Sequence, residues 1–204
     1  MANARHGKPK MDVRAIRKWL GKQSITPGER TKKTIYGPAG STLMHFAAAA
    51  GRIDVMEWLK DNNGLKVDAK NKIGHTPMYH AAANGHIEAM MWLKENGAAV
   101  DVKSTGGSTP MYWAAANGHV EAMAWLKENG AEVDVNDTDR SLMSMFVSPM
   151  FVAAANGDIK ALSWLKDNGA EVDTKDGFGR TPLDWAKEMK NHDAAQWLEK
   201  NGGK

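Results

Sequence analysis

The chain contains no cysteine, which excludes a disulfide framework, a thiolate nucleophile and any cysteine-ligated metal. It also lacks a long hydrophobic run. Its longest small-apolar stretches, Phe46 to Ala50 and Met150 to Ala155, fall far short of the roughly 20 residues that a membrane-spanning helix needs. The first twenty residues mix Arg5, Lys8, Lys10, Arg14, Arg17 and Lys18 with no apolar segment of the kind a secretory signal requires. An intracellular protein is therefore expected, most simply cytoplasmic, with the nucleus also compatible. What remains is ordinary for a folded chain: 42% hydrophobic and 25% charged residues over 204 positions, enough for one sizeable core or one elongated array.

Charge is unevenly placed. Residues 1–35 carry ten Lys or Arg against Asp12 and Glu29, a net +8, whereas the remaining residues carry seventeen against twenty-two, a net −5. The overall +3 thus describes the N-terminal segment and not the body of the protein. Within that segment Val13 to Lys22 has Val13, Ile16, Trp19 and Leu20 at helical spacing. A short helix capping the body of the chain is expected there, then a loop over Ser24 to Gly37.

The dominant signal is self-similarity. Thr76-Pro-Met-Tyr-His-Ala-Ala-Ala-Asn-Gly-His86 returns as Thr109-Pro-Met-Tyr-Trp-Ala-Ala-Ala-Asn-Gly-His119. Each copy leads to Trp-Leu-Lys-Glu-Asn-Gly-Ala, at Trp92 and at Trp125. Equivalent tryptophans at 58, 92, 125, 164 and 197 are spaced 34, 33, 39 and 33 residues apart, so five units run to the C-terminus. In each, Thr76 or its equivalent is placed to cap a helix through its hydroxyl. Pro77 suits the first helical position, where no N–H is needed. Ala81 to Ala83 favour a slim helix, and Gly85 ends it. A second helix carries Ile87, Met90 and Leu93 on one stripe and ends at Gly97. Val100 to Gly107 forms a polar turn into the next unit.

These units resemble the ankyrin repeat, whose pattern includes Thr-Pro-Leu-His, then Ala, Gly-His, Leu and Gly-Ala before the turn. The resemblance covers about residues 40–204 and implies an all-α solenoid of stacked antiparallel helix pairs with protruding β-turn fingers. Repeat boundaries are expected near 40–73, 74–106, 107–145, 146–178 and 179–204, after a basic segment at 1–39. The five tryptophans are then core or near-core residues. The tetrapeptide's His survives only as His45. Tyr79, Tyr112, Phe151 and Asp184 stand in its place elsewhere, which removes that His from four of five units. Leu43 replaces the first Pro, and the last unit reads Lys190-Asn191-His192 where Gly-His is usual, as a terminal capping repeat would.

No catalytic residue, metal ligand or cofactor site is nominated. His86 and His119 are equivalents one repeat apart. Packed helices lie about 8–10 Å from each other, too far for both to sit about 2 Å from one zinc ion. Glu88 and Glu121, like Asp101 and Asp134, are periodic acids of a solvated face. Asp176-Gly177-Phe178-Gly179 reads as a finger tip. An enzyme is not expected, for lack of convergent polar groups.

The family resemblance implies binding of another protein through the finger tips and the concave face of the first helices, by a chain that is a monomer on its own. Carried over by position, the fingers supply Lys72, Ile73 and His75, then Thr105 and Ser108, then Phe178 and Arg180. The helix face supplies Asn84, Asn117 and Asn156. The 39-residue spacing adds an irregular finger, Arg140 to Val147, that gathers Leu142, Met143, Met145 and Phe146 where other fingers are polar. Apolar groups of that kind mark either an interface or a fold-back onto the stack. The alternative function is association of the basic N-terminal segment with nucleic acid or another anionic surface, held by salt-dependent contacts.

Overall fold

A computed structural model of the protein describes Lys18, residues 40–134 and residues 148–203. The segment 1–39, Lys18 apart, and the irregular finger from residue 135 to 147 lie outside the described residues. Among the described residues there are ten α-helices and no strand, in five pairs: α1 (Leu43–Ala49) with α2 (Ile53–Asn63), α3 (Pro77–Ala83) with α4 (Ile87–Glu95), α5 (Pro110–Ala116) with α6 (Val120–Glu128), α7 (Pro149–Asn156) with α8 (Ile159–Asp167), and α9 (Pro182–Glu188) with α10 (His192–Lys200). The fold is the all-α solenoid that the repeats imply.

The first helix of each pair begins where the sequence places it. Thr42, Thr76, Thr109, Ser148 and Thr181 occupy the N-cap positions, and proline follows in four of the five. The hydroxyl caps are less uniform than expected. Thr109 Oγ1 accepts from the Tyr112 N–H at 3.2 Å. Thr181 exchanges bonds with Asp184, whose carboxylate accepts from the Thr181 N–H at 2.8 Å. Thr76, expected to cap in the same way, does not: its hydroxyl is buried without a hydrogen-bond partner.

One continuous core runs through the stack. Met44, Met78, Met111 and Met150 of the first helices and Leu59, Leu93, Leu126, Leu165 and Leu198 of the second helices are all fully buried. Each such side chain contributes about 1.5–3 kcal/mol through burial. The tryptophans at 58, 92, 125, 164 and 197 lie against this core, partly buried, as expected. Buried Ala pairs, such as Ala81 with Ala82 and Ala114 with Ala115, let successive first helices pack closely. The second helices, with Trp and Lys on their flanks, touch one another far less. That difference makes the first-helix side the inner face of the curve.

Two devices repeat at every boundary. The first is a packing contact. His86, at the N-cap of α4, lies over Gly51 of the preceding unit and bonds the Ala49 carbonyl at 3.1 Å. A Cβ on Gly51 would sit 2.9 Å from that ring. His119 covers Gly85, Asp158 covers Gly118, and Asn191 covers Gly157. These glycines also have φ near +60 to +75°, so glycine is required twice over. In the fifth unit Lys190 occupies the equivalent position at φ 60°.

The second device is a polar ladder along the second helices. Lys60 donates to Asn96, Lys94 to Asn129, Lys127 to Asn168 at 2.7 Å and Lys166 to Asn201 at 2.6 Å. Each of these asparagines turns its own amide N–H back to the Trp carbonyl four residues earlier, at 2.7–2.8 Å. One side chain thus satisfies a helix C-terminus and receives the adjacent repeat.

Candidate protein-binding surface

Each described finger is pinched at its base by one short polar side chain. In the first, Asn71 accepts the N–H groups of Ile73 and His75 at 3.1 and 3.0 Å, while the Asn71 N–H donates to the His75 carbonyl. Ser104 does the same for the second, taking the Ser108 N–H at 3.1 Å. Asp176 does so for the last, taking the N–H groups of Phe178 and Arg180 at 2.9 Å each. These are the local side-chain turns that favour Asn, Ser and Asp in loops. Adjacent fingers are also joined, because Thr105 donates both its N–H and its hydroxyl to the Ile73 carbonyl, at 3.1 and 3.0 Å.

The fingers are fixed to the helices by the residue at the third helical position. His45 Nδ1 accepts from the Thr42 N–H at 3.0 Å, and its Nε2–H donates to the His75 carbonyl at 3.0 Å. Tyr79 performs the second task one unit on. Its hydroxyl donates to the carbonyls of Ser108, the positional equivalent of His75, and Val102.

Asp176 collects the most contacts. Besides the two backbone N–H groups it takes the Arg180 guanidinium at 2.9 Å and the Trp185 indole N–H at 3.0 Å. Burial alone would raise its pKa, but these donors together hold the carboxyl below the usual carboxylate range. Arg180 in turn reaches Glu188 at 3.2 Å and lies 5.3 Å from the Phe178 ring and 5.0 Å from Trp185.

The expected contact residues separate into two groups. Lys72, Ile73, Thr105, Phe178, Asn84, Asn117 and Asn156 are exposed. Phe178 is 85% exposed, and Ile73 44%. The asparagines are exposed but engaged: Asn84 and Asn117 bond the carbonyls of His80 and Trp113, and Asn156 reaches back to Ala116 of the preceding unit at 2.7 Å. Ser108 is a correction. It is 1% exposed, and its hydroxyl receives the Trp113 indole N–H at 3.2 Å and meets Ser104 at 2.9 Å, so it braces the finger from within. His75 and Arg180 are half-buried and largely occupied by ring stacking and ion pairing. Arg140, Leu142, Met143, Met145 and Phe146 lie outside the described residues.

Sequence reasoning missed Trp113 and Trp185 as parts of this surface, and placed Asp176 on a finger tip without its bracing role. The signal was present. Trp113 and Trp185 share one register with Phe46, His80 and Val152, immediately after the third helical position, and form a half-buried stripe along the base of the fingers.

With this geometry established, comparison with known proteins gives a consistent result. A family described as ankyrin repeats in three copies matches residues 43–139, and one described as ankyrin repeats in many copies matches residues 150–199. The chain belongs to the ankyrin-repeat family. Such repeats are generally protein–protein interaction modules. No curated protein matches the sequence. Among the described residues no helix is long and apolar enough to cross a membrane.

Proposed function

We propose that the chain is a protein-binding scaffold that presents its finger tips, with the neighbouring first-helix face, to a partner protein. The observation that carries this reading is Phe178. It is the most exposed large apolar side chain described, and it stands on a finger held rigid by Asp176. An aromatic side chain fixed in water gains nothing from that position unless it is covered. A pre-set aromatic on a rigid turn gives up little entropy when it enters a partner pocket. Ile73, exposed on the first finger, provides a second apolar contact on the same row of tips.

The test is affinity purification with the full chain from its native source, repeated with Phe178→Ala. A partner recovered by the wild-type chain should bind the variant about thirtyfold more weakly or worse, the effect of losing a hot-spot contact of ~2 kcal/mol, with thermal stability unchanged. Equal affinity for the variant would overturn the role assigned to this finger.

A further inference from the structure

We propose that His45, His75 and His80 form an acid-sensitive latch that joins the first two repeats at neutral pH and whose hold weakens progressively as the solution becomes mildly acidic. The three imidazoles come from α1, the first finger and α3. The His80 ring meets those of His45 and His75 edge-on, with centroids 5.4 and 6.1 Å away. His75 is also stacked on Tyr79 at 4.6 Å and meets Trp113 at 5.6 Å.

The geometry fixes the protonation state. A backbone N–H can only donate, so the Thr42 N–H at 3.0 Å makes His45 Nδ1 an acceptor. The proton then lies on Nε2, where it bonds the His75 carbonyl. A second proton on His45 Nδ1 would displace the Thr42 N–H and leave the ring only the Thr42 hydroxyl, 2.8 Å away, to donate to. His80 Nε2 is buried with no hydrogen-bond partner, so a charge there would be unsolvated and unpaired. A charge on either of the pair would also repel one on its neighbour.

The surroundings offer no compensating anion among the described residues. α1 adds no further titratable side chain, α3 adds Tyr79, and α5 adds Tyr112. The first finger and its approach add Asp68, Lys70 and Lys72, and the second adds Asp101 and Lys103, all of them exposed. Asp101 acts on Tyr79 and on none of the three histidines. Burial accordingly lowers the pKa of all three, and the neighbouring histidines lower those of His75 and His80 further, to about 4 for His80.

The pH dependence has a definite sign. The folded pKa lies below the unfolded value of about 6.5, so the unfolded segment binds more protons and stability falls as pH drops below that value. Each histidine that charges only on opening raises the opening constant by up to about tenfold per pH unit. The boundary between α7 and α9 is built differently: there Phe151 meets Trp185 edge-on, with no histidine between them. In a solenoid, where units open piecewise, acid should therefore loosen the first two repeats before the last two.

Histidine-selective NMR on the full chain tests this. The His45, His75 and His80 resonances are expected to stay in neutral positions from pH 7.5 to 5.5, while those of the urea-unfolded chain titrate near about 6.5. Hydrogen exchange, corrected for intrinsic rates, should show α1 and α3 opening as pH falls while α7 and α9 hold. In H75S/H80W, which takes its side chains from the equivalent Ser108 and Trp113, the fall in stability between pH 6.5 and 5 should lose about two-thirds of its logarithmic size. Ordinary titration of the three resonances, or equal acid sensitivity in the variant, would overturn the proposal. If the variant does not fold, the wild-type NMR titration decides alone.

Discussion

Tyr79 and Ser108 are joined across a repeat boundary by the bond that His45 makes to His75 one unit earlier. A phenol hydroxyl on a longer side chain reaches the same backbone carbonyl that the imidazole reaches. Tyr79 is 1% exposed, and burial pushes its hydroxyl pKa up, so the group remains a neutral donor. Tyr79→Phe keeps the ring and removes only the donor. The Ser108 carbonyl retains its bond from the Ser104 N–H, so a loss of about 1–1.5 kcal/mol is expected. Urea unfolding measures it. No change in midpoint would show that the hydroxyl does not anchor the second finger.

Gly118 and Gly130 separate backbone strain from close approach. Both have positive φ, at 69° and 90°. A Cβ on Gly130 would meet nothing within 4 Å, whereas one on Gly118 would lie 2.2 Å from the Asp158 carboxylate. Gly130→Ala should cost about 1–2 kcal/mol from its left-handed backbone alone. Gly118→Ala should cost clearly more. Equal losses in thermal unfolding would mean that Asp158 moves aside freely.

Asp176 sets a pH dependence that an unpaired surface acid, with the same pKa folded and unfolded, would not. Its folded pKa is depressed, so its stabilisation is complete above the unfolded value of about 4 and is lost as pH falls through the folded value. Asp176→Asn removes the charge-assisted bonds to Arg180 and Trp185, so a loss of about 1.5–3 kcal/mol at pH 7 is expected. The acid limb of the wild-type melting curve below about pH 4 should flatten with it. A variant with the same acid limb as wild type would assign that limb to other carboxylates.

The long irregular finger is open to a discriminating triple variant. Replacing Met143, Met145 and Phe146 together by Ser should leave the melting temperature nearly unchanged and weaken partner binding if the cluster is an interface. A large fall in melting temperature with affinity retained would place those side chains inside the fold, since a buried Phe alone is worth about 3–5 kcal/mol.

Much of the architecture was legible because it is periodic. The Thr-Pro starts, Ala-rich first helices and recurring Trp-Leu mark each helix pair, and equivalent residues confirm one another. The missed features are those that need a neighbour to be seen. Lys94 and Asn129 are 35 residues apart, and neither type announces a partner across a boundary. Ser108 reads as a turn residue, but the Trp113 indole over it makes it a buried acceptor. Thr76 has the right type and place to cap α3, yet its hydroxyl makes no bond, whereas that of Thr109, with a Tyr at the same helical position, does. Asp176 reads as part of a finger tip, whereas four donors converge on it from the backbone, Arg180 and Trp185.

The lysine-to-asparagine ladder bears on how such a chain can change length. Every internal junction offers the same donor on one side and the same acceptor on the other, so a duplicated or deleted whole unit meets matching partners at both cut ends. The near-identity of Thr76–His86 and Thr109–His119 is what a recent copy of one unit would look like. The last unit breaks the series. Glu199 stands where Lys166 and its equivalents stand, and it is paired with Lys187 of its own repeat at 2.8 Å. New units are thus readily accommodated within the array, at any of the junctions that carry the Lys-to-Asn pair.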